Sequence, residues 1–320
     1  MTSYLETART FYDDIAKKPE TGACCAQRND VDLAGLVVPP RMAEMAYSCG
    51  STVHPSDLAG SPSVLYVGVG GGLEALQFAY FSRRPAAITA VDPSPAMRAA
   101  AAENLTEAAG LNDWFDASFV TILEGDAFAL PIADASVDLV AQNCLFNIFQ
   151  SGDLKRALAE VARVLKPGGR LFMSDPIAPH EIPPHLTADE RLRAMCLSGA
   201  QTWEGYVAAL AEAGFRRIEV RSRHHYRTLA AAEYGLSHDI RLDSYDTVSF
   251  KSSRPDAPLE VMTGRRAVYA GMFPFLDHEG VRYARNKPVA VSDRTAEDLQ
   301  RTAPGEVHVT APTWRLAGEG

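Results

Sequence analysis

The chain has 320 residues, 47% of them hydrophobic, and a formal net charge of −9. That is enough apolar material for one large domain, or a domain with an appendage. The acid excess argues against a nucleic-acid backbone or an anionic membrane as the main partner, since both reward a basic face. No apolar run nears the roughly 20 residues a bilayer span needs and no basic-then-apolar leader opens the sequence, so small-molecule work in the cytoplasm is the expectation.

Residues 2–17 are expected to be helical, with Leu5, Ala8, Phe11, Tyr12 and Ile15 near one face and Asp13 and Asp14 on the other. Such a helix either covers a site or simply packs. The vicinal pair Cys24-Cys25 follows in a stretch without periodicity. After Pro39-Pro40 a short helix from Met42 to Tyr47 leads to Ser48-Cys49-Gly50-Ser51, a cysteine on a loop. The five cysteines, Cys24, Cys25, Cys49, Cys144 and Cys196, are odd in number and thinly spread. They form neither a disulfide framework nor a zinc spacing.

From Val64 the pattern alternates strand and helix. The apolar run Val64 to Val67 meets Gly68, Gly70, Gly71 and Gly72, and a helical segment starts at Leu73. Strand, glycine turn and helix make a nucleotide-binding unit, because a ligand can lie against bare amides only where side chains are missing. The strand Ala87 to Val91 ends in Asp92, about twenty residues beyond the glycines. At that spacing a carboxylate accepts from both ribose hydroxyls of a nucleoside. Pro93-Ser94-Pro95 caps a helix from Ala96 to Ala109. A third strand, Phe119 to Leu123, runs into Gly125-Asp126-Ala127, where the acid can take an adenine amino group and the next amide the ring.

The fourth strand, Val137 to Gln142, leads into Asn143-Cys144. An amphipathic helix from Leu154 to Leu165 stops at Lys166-Pro167-Gly168-Gly169, and a fifth strand covers Arg170 to Ser174. Beyond Asp175-Pro176, a helix over 187–196 places Cys196 in an insertion after the fifth strand. A further helix from Thr202 to Ala213 and a sixth strand from Arg217 to Arg221 follow. His224, His225 and the arginines 221, 223 and 227 read as a solvated strand edge. Residues 252–258 read as a linker to an α+β appendage with strands near 267–269, 289–291 and 307–310 and a helix from Thr295 to Arg301.

The glycine loop, Asp92, Gly125-Asp126-Ala127, Asp138-Leu139-Val140 and Leu165-Lys166-Pro167-Gly168-Gly169-Arg170-Leu171, in that order, resemble the class I S-adenosylmethionine-dependent methyltransferases over about residues 60–225. The resemblance implies a Rossmann-like α/β sheet with helices on both faces. It implies S-adenosylmethionine as cofactor, held by Gly68, Gly70, Gly71, Gly72, Asp92, Pro93, Met97, Asp126, Ala127 and Asn143. Tyr66 stands where that class has an acid, a departure expected to affect the methionine end of the cofactor. The implied division is an N-terminal cysteine-bearing segment over 1–60, the cofactor-binding domain over 61–250 and the appendage over 251–320.

Cys24-Cys25, Tyr47-Ser48-Cys49-Gly50, Asn143-Cys144-Leu145-Phe146-Asn147 and Cys196-Leu197-Ser198-Gly199-Ala200 resemble the arsenite methyltransferases, in particular a bacterial branch linked to arsenosugar biosynthesis. Thr263-Gly264-Arg265-Arg266, Asn286-Lys287-Pro288 and Pro312-Thr313-Trp314 resemble that branch's tail. The implied substrate is a trivalent arsenical, a soft centre that prefers thiolates to oxygen or imidazole. Cys49 and Cys196 are then its ligands, and Cys24 or Cys25 shuttles arsenic or pairs with Cys49 as a disulfide in turnover, with a thiol as reductant. Cys144 is assigned to packing.

Cysteines the family carries elsewhere are missing: Ser237 to Leu242 has none, Ser292 occupies one position, and the tail ends Ala317-Gly318-Glu319-Gly320. With two ligands left, the expected substrate is a methylated trivalent arsenical, unless Cys24 or Cys25 supplies a third. The altered glycine loop leaves open transfer of another arm of the cofactor or another nucleophile, and a non-catalytic arsenical-binding protein is the alternative from a different class.

Overall fold

The computed structural model describes residues 3–20, 33–254 and 256–314. Cys24 and Cys25 lie outside these residues. The first helix, α1 (Tyr4–Lys17), starts on a capping box: the Ser3 hydroxyl accepts from the Glu6 amide and the Glu6 carboxylate from the Ser3 amide. It buries Ala8, Phe11 and Ile15. The second helix is shorter than expected, α2 (Pro40–Glu44), because the chain turns at Met45.

The elements that follow are β1 (Val64–Val67), α3 (Leu73–Ser82), β2 (Ile88–Asp92), α4 (Pro95–Leu111), β3 (Val120–Glu124), β4 (Val137–Asn143), α5 (Ser151–Val164) and β5 (Leu165–Ala178). Next come α6 (Pro184–Thr187), α7 (Glu190–Ala194), β6 (Gln201–Thr202), α8 (Trp203–Glu212), β7 (Phe215–Leu229), α9 (Ala231–Tyr234), β8 (Ile240–Lys251) and β9 (Glu260–Met262). Among the described residues these strands make one sheet in the order β3-β2-β1-β4-β5-β8-β7-β9, with β6 paired to β5. From β3 through β5 the pairing is parallel, and β8 runs antiparallel to both β5 and β7.

All four residues of β1 are buried, as a central parallel strand covered on both faces requires. In α5 the buried Leu154, Ala157, Leu158, Val161 and Val164 fall on one helical face. The stop at Lys166-Pro167-Gly168-Gly169 is a register shift rather than a gap: Val137 pairs with Leu165 and Leu139 with Arg170, so the glycine-bearing turn loops out within the strand.

Two expectations for the later half are corrected. The sixth strand extends to Leu229 and pairs along its length with β8. Register shifts at three places along β7 break the period-two pattern that marks a strand. Cys196 falls just past the end of α7, not in a helix body.

The tail adds β10 (Arg266–Tyr269), β11 (Phe275–His278), β12 (Val281–Ala284), β13 (Pro288–Ala290), α10 (Asp293–Thr302) and β14 (Val307–Val309). The order β13-β10-β14 forms a small antiparallel sheet over its own core of Ala267, Tyr269, Tyr283, Val291, Ala296 and Leu299. Its neighbour in sequence, β9, pairs with β7 and so belongs to the main sheet. Among the described residues no helix is long and apolar enough to cross a membrane.

Candidate active site

Strand order reverses at β1, which has β2 on one side and β4 on the other, so a crevice opens at the carboxyl ends of these strands. A cavity of about 310 Å³ occupies it. Gly68 and Gly70 form one wall, both with left-handed backbone, φ +84° and +52°. A methyl group at Gly70 would meet nothing within 4 Å, so the loop faces open room. Gly71 and Gly72 do other work. A Cβ on Gly71 would stand 2.6 Å from that of Met45, and Gly72, at φ +89°, precedes α3 and packs near Leu105. The glycine run thus splits into two residues facing the cavity and two that let segments pack.

Asp92 ends β2 in the cavity wall and is buried, its Oδ2 accepting from the Val69 amide at 2.9 Å and its Oδ1 from the Ser94 amide at 2.8 Å. Burial raises its carboxyl to about 6, against the opposing pull of the two amides and the nearby Arg98. Asp126 uses Oδ1 to accept from the Phe128 and Ala129 amides at 2.7 and 3.0 Å, leaving Oδ2 for a ligand donor. Pro93, Met97, Ala127 and Asn143 complete the expected lining, and α1 covers the cavity with Leu5, Ala8 and Tyr12. An adenosyl group would fit this wall, with Asp92 able to take the ribose hydroxyls, Asp126 and the Ala127 amide the adenine, and the loop bare of side chains.

The sulfurs gather where Cys144 reaches the cavity wall. Cys49 and Cys144 are joined by a disulfide, with Cα atoms 5.9 Å apart. Cys144 lines the cavity, and the Cys196 thiol donates to the Cys144 carbonyl. In this structure the disulfide partner of Cys49 is Cys144, the cysteine that the sequence assigns to packing; the expected turnover pairing of Cys49 with Cys24 or Cys25 involves residues outside those described. Cys144, ninety-five residues from Cys49 in sequence, thus touches both of the other described cysteines. Cys144 and Cys196 both sit at φ +58°, a left-handed backbone that costs a residue with a side chain roughly 1–2 kcal/mol and tends to cluster where function demands it.

The loop that carries Cys49 is held through its main chain. Asn143 Oδ1 accepts from the Cys49 amide at 2.9 Å, Asn143 Nδ2 donates to the Gly50 carbonyl at 2.9 Å, and His224 Nε2 donates to the Cys49 carbonyl at 2.7 Å. The expected solvated edge is thus corrected in part. His224 turns in to this loop, and the largely buried Arg221 pairs with Asp57 and Glu219. On the roof, Gly199 lies so close to the Asn147 carbonyl that any Cβ would collide with it. Beneath, the Tyr206 hydroxyl and Gln142 both donate to the buried Asp175.

Residues 65–173 match the model of a methyltransferase domain. With the reversed strand order, the bare glycine wall and the two carboxylates, this marks a class I S-adenosylmethionine-dependent methyltransferase domain, a kind of domain whose cofactor is S-adenosylmethionine. Within that class the chain is a homologue of the arsenite methyltransferases. It is 29% identical to that of Halobacterium salinarum over 201 residues, 63% of this chain and 49% of the relative. It is 31% identical to that of Aquipseudomonas alcaligenes over 216 residues, 66% of this chain and 61% of the relative. The chain thus matches about half to three-fifths of the length of these two relatives. The crystal structure of an arsenic(III) S-adenosylmethionine methyltransferase from Chlamydomonas reinhardtii superposes with a TM-score of 0.59 and 26% identity, over 87% of this chain and 94% of that one.

Proposed function

We propose that the chain transfers a methyl group to trivalent arsenic held by the thiolates of Cys49, Cys144 and Cys196. The observation that carries this reading is the convergence of three cysteines from separate parts of the chain beside the cofactor cavity. Trivalent arsenic exchanges hydroxide for thiolate, each thiol proton leaving with a hydroxide as water, and a three-sulfur set suits arsenite as well as its methylated forms. With Cys144 as a third ligand, this reading includes arsenite itself beside the methylated trivalent arsenical that two ligands would favour.

Held by sulfur, arsenic keeps a lone pair. S-adenosylmethionine supplies an electrophilic methyl group on a sulfonium, so the transfer calls for no general base, and alignment by the protein supplies most of the acceleration. Gly68, Gly70, Asp92 and Asp126 hold the adenosyl part, while the left-handed turns at Cys144 and Cys196 present the sulfurs. In the disulfide form Cys49 and Cys144 cannot ligate. Two equivalents of an external thiol, leaving as their own disulfide, supply the two electrons and two protons that return both cysteines to the reactive state, which makes a thiol reductant the second partner.

The test is incubation of the reduced chain with methyl-labelled S-adenosylmethionine, glutathione and either arsenite or methylarsonous acid. Label in a methylated arsenical, with S-adenosylhomocysteine as the coproduct, is expected. Methylthioadenosine as coproduct would mean that another arm of the cofactor is transferred, and arsenical binding with no cofactor consumed would mean a binding protein.

A further inference from the structure

Glu74 is 4% exposed and lies outside the lining of the cofactor cavity. Its carboxylate accepts from the Thr52 amide at 2.8 Å, the Thr52 hydroxyl at 2.9 Å, the Tyr66 hydroxyl at 2.7 Å and Asn143 Nδ2 at 3.3 Å. All of these donors are neutral. A carboxylate is costly to bury on such terms, and burial pushes its proton affinity up while each donor pulls it down. So expensive a group calls for an explanation, and the origin of its donors gives one. Thr52 follows the Cys49 loop, Tyr66 is on the strand that ends in the glycine loop, and Asn143 lines the cavity beside Cys144. Tyr66, which replaces the acid of the cofactor loop, turns inward to this carboxylate.

The loop over 48–54 has no helix or strand to fix it. Its main chain is clasped instead: Cys49 and Gly50 by Asn143, Cys49 also by His224, and Thr52 by Glu74. We propose that Glu74 is a positioning residue for the Cys49 sulfur, acting through Thr52 and Asn143. Because Asn143 also faces the cavity, Glu74 ties the place of that sulfur to the presence of the cofactor. The inference rests on the reading of Cys49 as an arsenic ligand, and a misplacement of 1 Å at such a ligand costs about 100-fold in rate.

The test uses the full chain, reduced and freed of reductant without air. The rate of Cys49 alkylation by iodoacetamide is followed by peptide mass spectrometry with and without saturating S-adenosylhomocysteine, whose dissociation constant is measured by calorimetry. In the wild type the ligand should slow alkylation about threefold or more, the size of a modest coupling between sites. Glu74→Gln keeps the shape but turns an amide toward converging donors. It should abolish that response while the dissociation constant moves less than about threefold, and kcat for methyl transfer should fall about 10- to 100-fold with little change in KM for S-adenosylmethionine. Glu74→Asp should restore part of the response.

Should Glu74→Gln fail to fold, Thr52→Val, which removes one donor and keeps the carboxylate, carries the same measurements. A wild-type rate indifferent to S-adenosylhomocysteine, or a variant that responds as the wild type does, overturns the proposal. Alkylation needs no arsenic, so an intact response with no methylated arsenical formed would count against the arsenic reading alone.

Discussion

Cys144 is bonded to Cys49 through sulfur, and its own carbonyl accepts the thiol of Cys196. One residue at the end of β4 thus links the loop after α2 with the roof after α7. Cys144→Ser should lower methyl transfer to arsenite at least about 100-fold, since arsenic loses a ligand and its alignment. It should leave S-adenosylhomocysteine affinity within about threefold. Product analysis and calorimetry on one preparation check both, and a fully active serine variant would remove Cys144 from the ligand set.

Asp92 makes cofactor binding sensitive to acid. Folding raises its carboxyl from 3.8 to about 6. Between those values the folded chain holds the proton more tightly than the unfolded one, so the ligand-free protein loses stability as pH rises through that window, on the order of 3 kcal/mol by pH 7. Accepting two ribose hydroxyls requires the ionised form. S-adenosylhomocysteine should therefore bind about fourfold more weakly at pH 5.5 than at pH 7.5. In Asp92→Asn binding should be about 10- to 100-fold weaker, with that pH dependence gone, as calorimetry across the range will show.

A glycine of the loop and a glycine of α5 should separate in a melting experiment. Gly71→Ala puts a methyl group against Met45 and should cost about 1–3 kcal/mol. Gly152→Ala in α5 meets nothing within 4 Å and should change stability by less than about 1 kcal/mol, in the stabilising direction. Equal melting temperatures for the two variants would mean that Gly71 is not a packing glycine.

Gly199 gives the roof its closeness. An alanine there must push the Cys196-bearing turn away from the Asn147 carbonyl. Gly199→Ala should cost about 3 kcal/mol in thermal or urea unfolding and reduce methyl transfer at temperatures where the chain stays folded. Full activity in a folded Gly199→Ala protein would show that the position of Cys196 tolerates the shift.

Local pattern alone determined the first four strands, the middle of the fifth, the glycine turn and the placement of Asp92 and Asp126 on strand ends; it missed that β5 runs from Leu165 to Ala178. Buried parallel strands read as apolar runs, and the turn chemistry between them is confined to a few neighbouring residues. The β7–β8 hairpin was less legible because shifts in register scramble the alternation that marks a strand. At Cys144 the sequence carried no signal of the disulfide to Cys49 or of the left-handed backbone at φ +58°, both of which belong to the fold.

What only the tertiary structure decided is who meets whom at the crevice. Cys49, Cys144 and Cys196 are separated by 95 and 52 residues, and their convergence depends on the order β1-β4-β5 and on the roof that follows β5. The same holds for Glu74, which in sequence is an ordinary acid in the first turn of a helix. Its donors arrive from a loop, a neighbouring strand and the end of another, and no spacing along the chain records where a sheet brings its edges together.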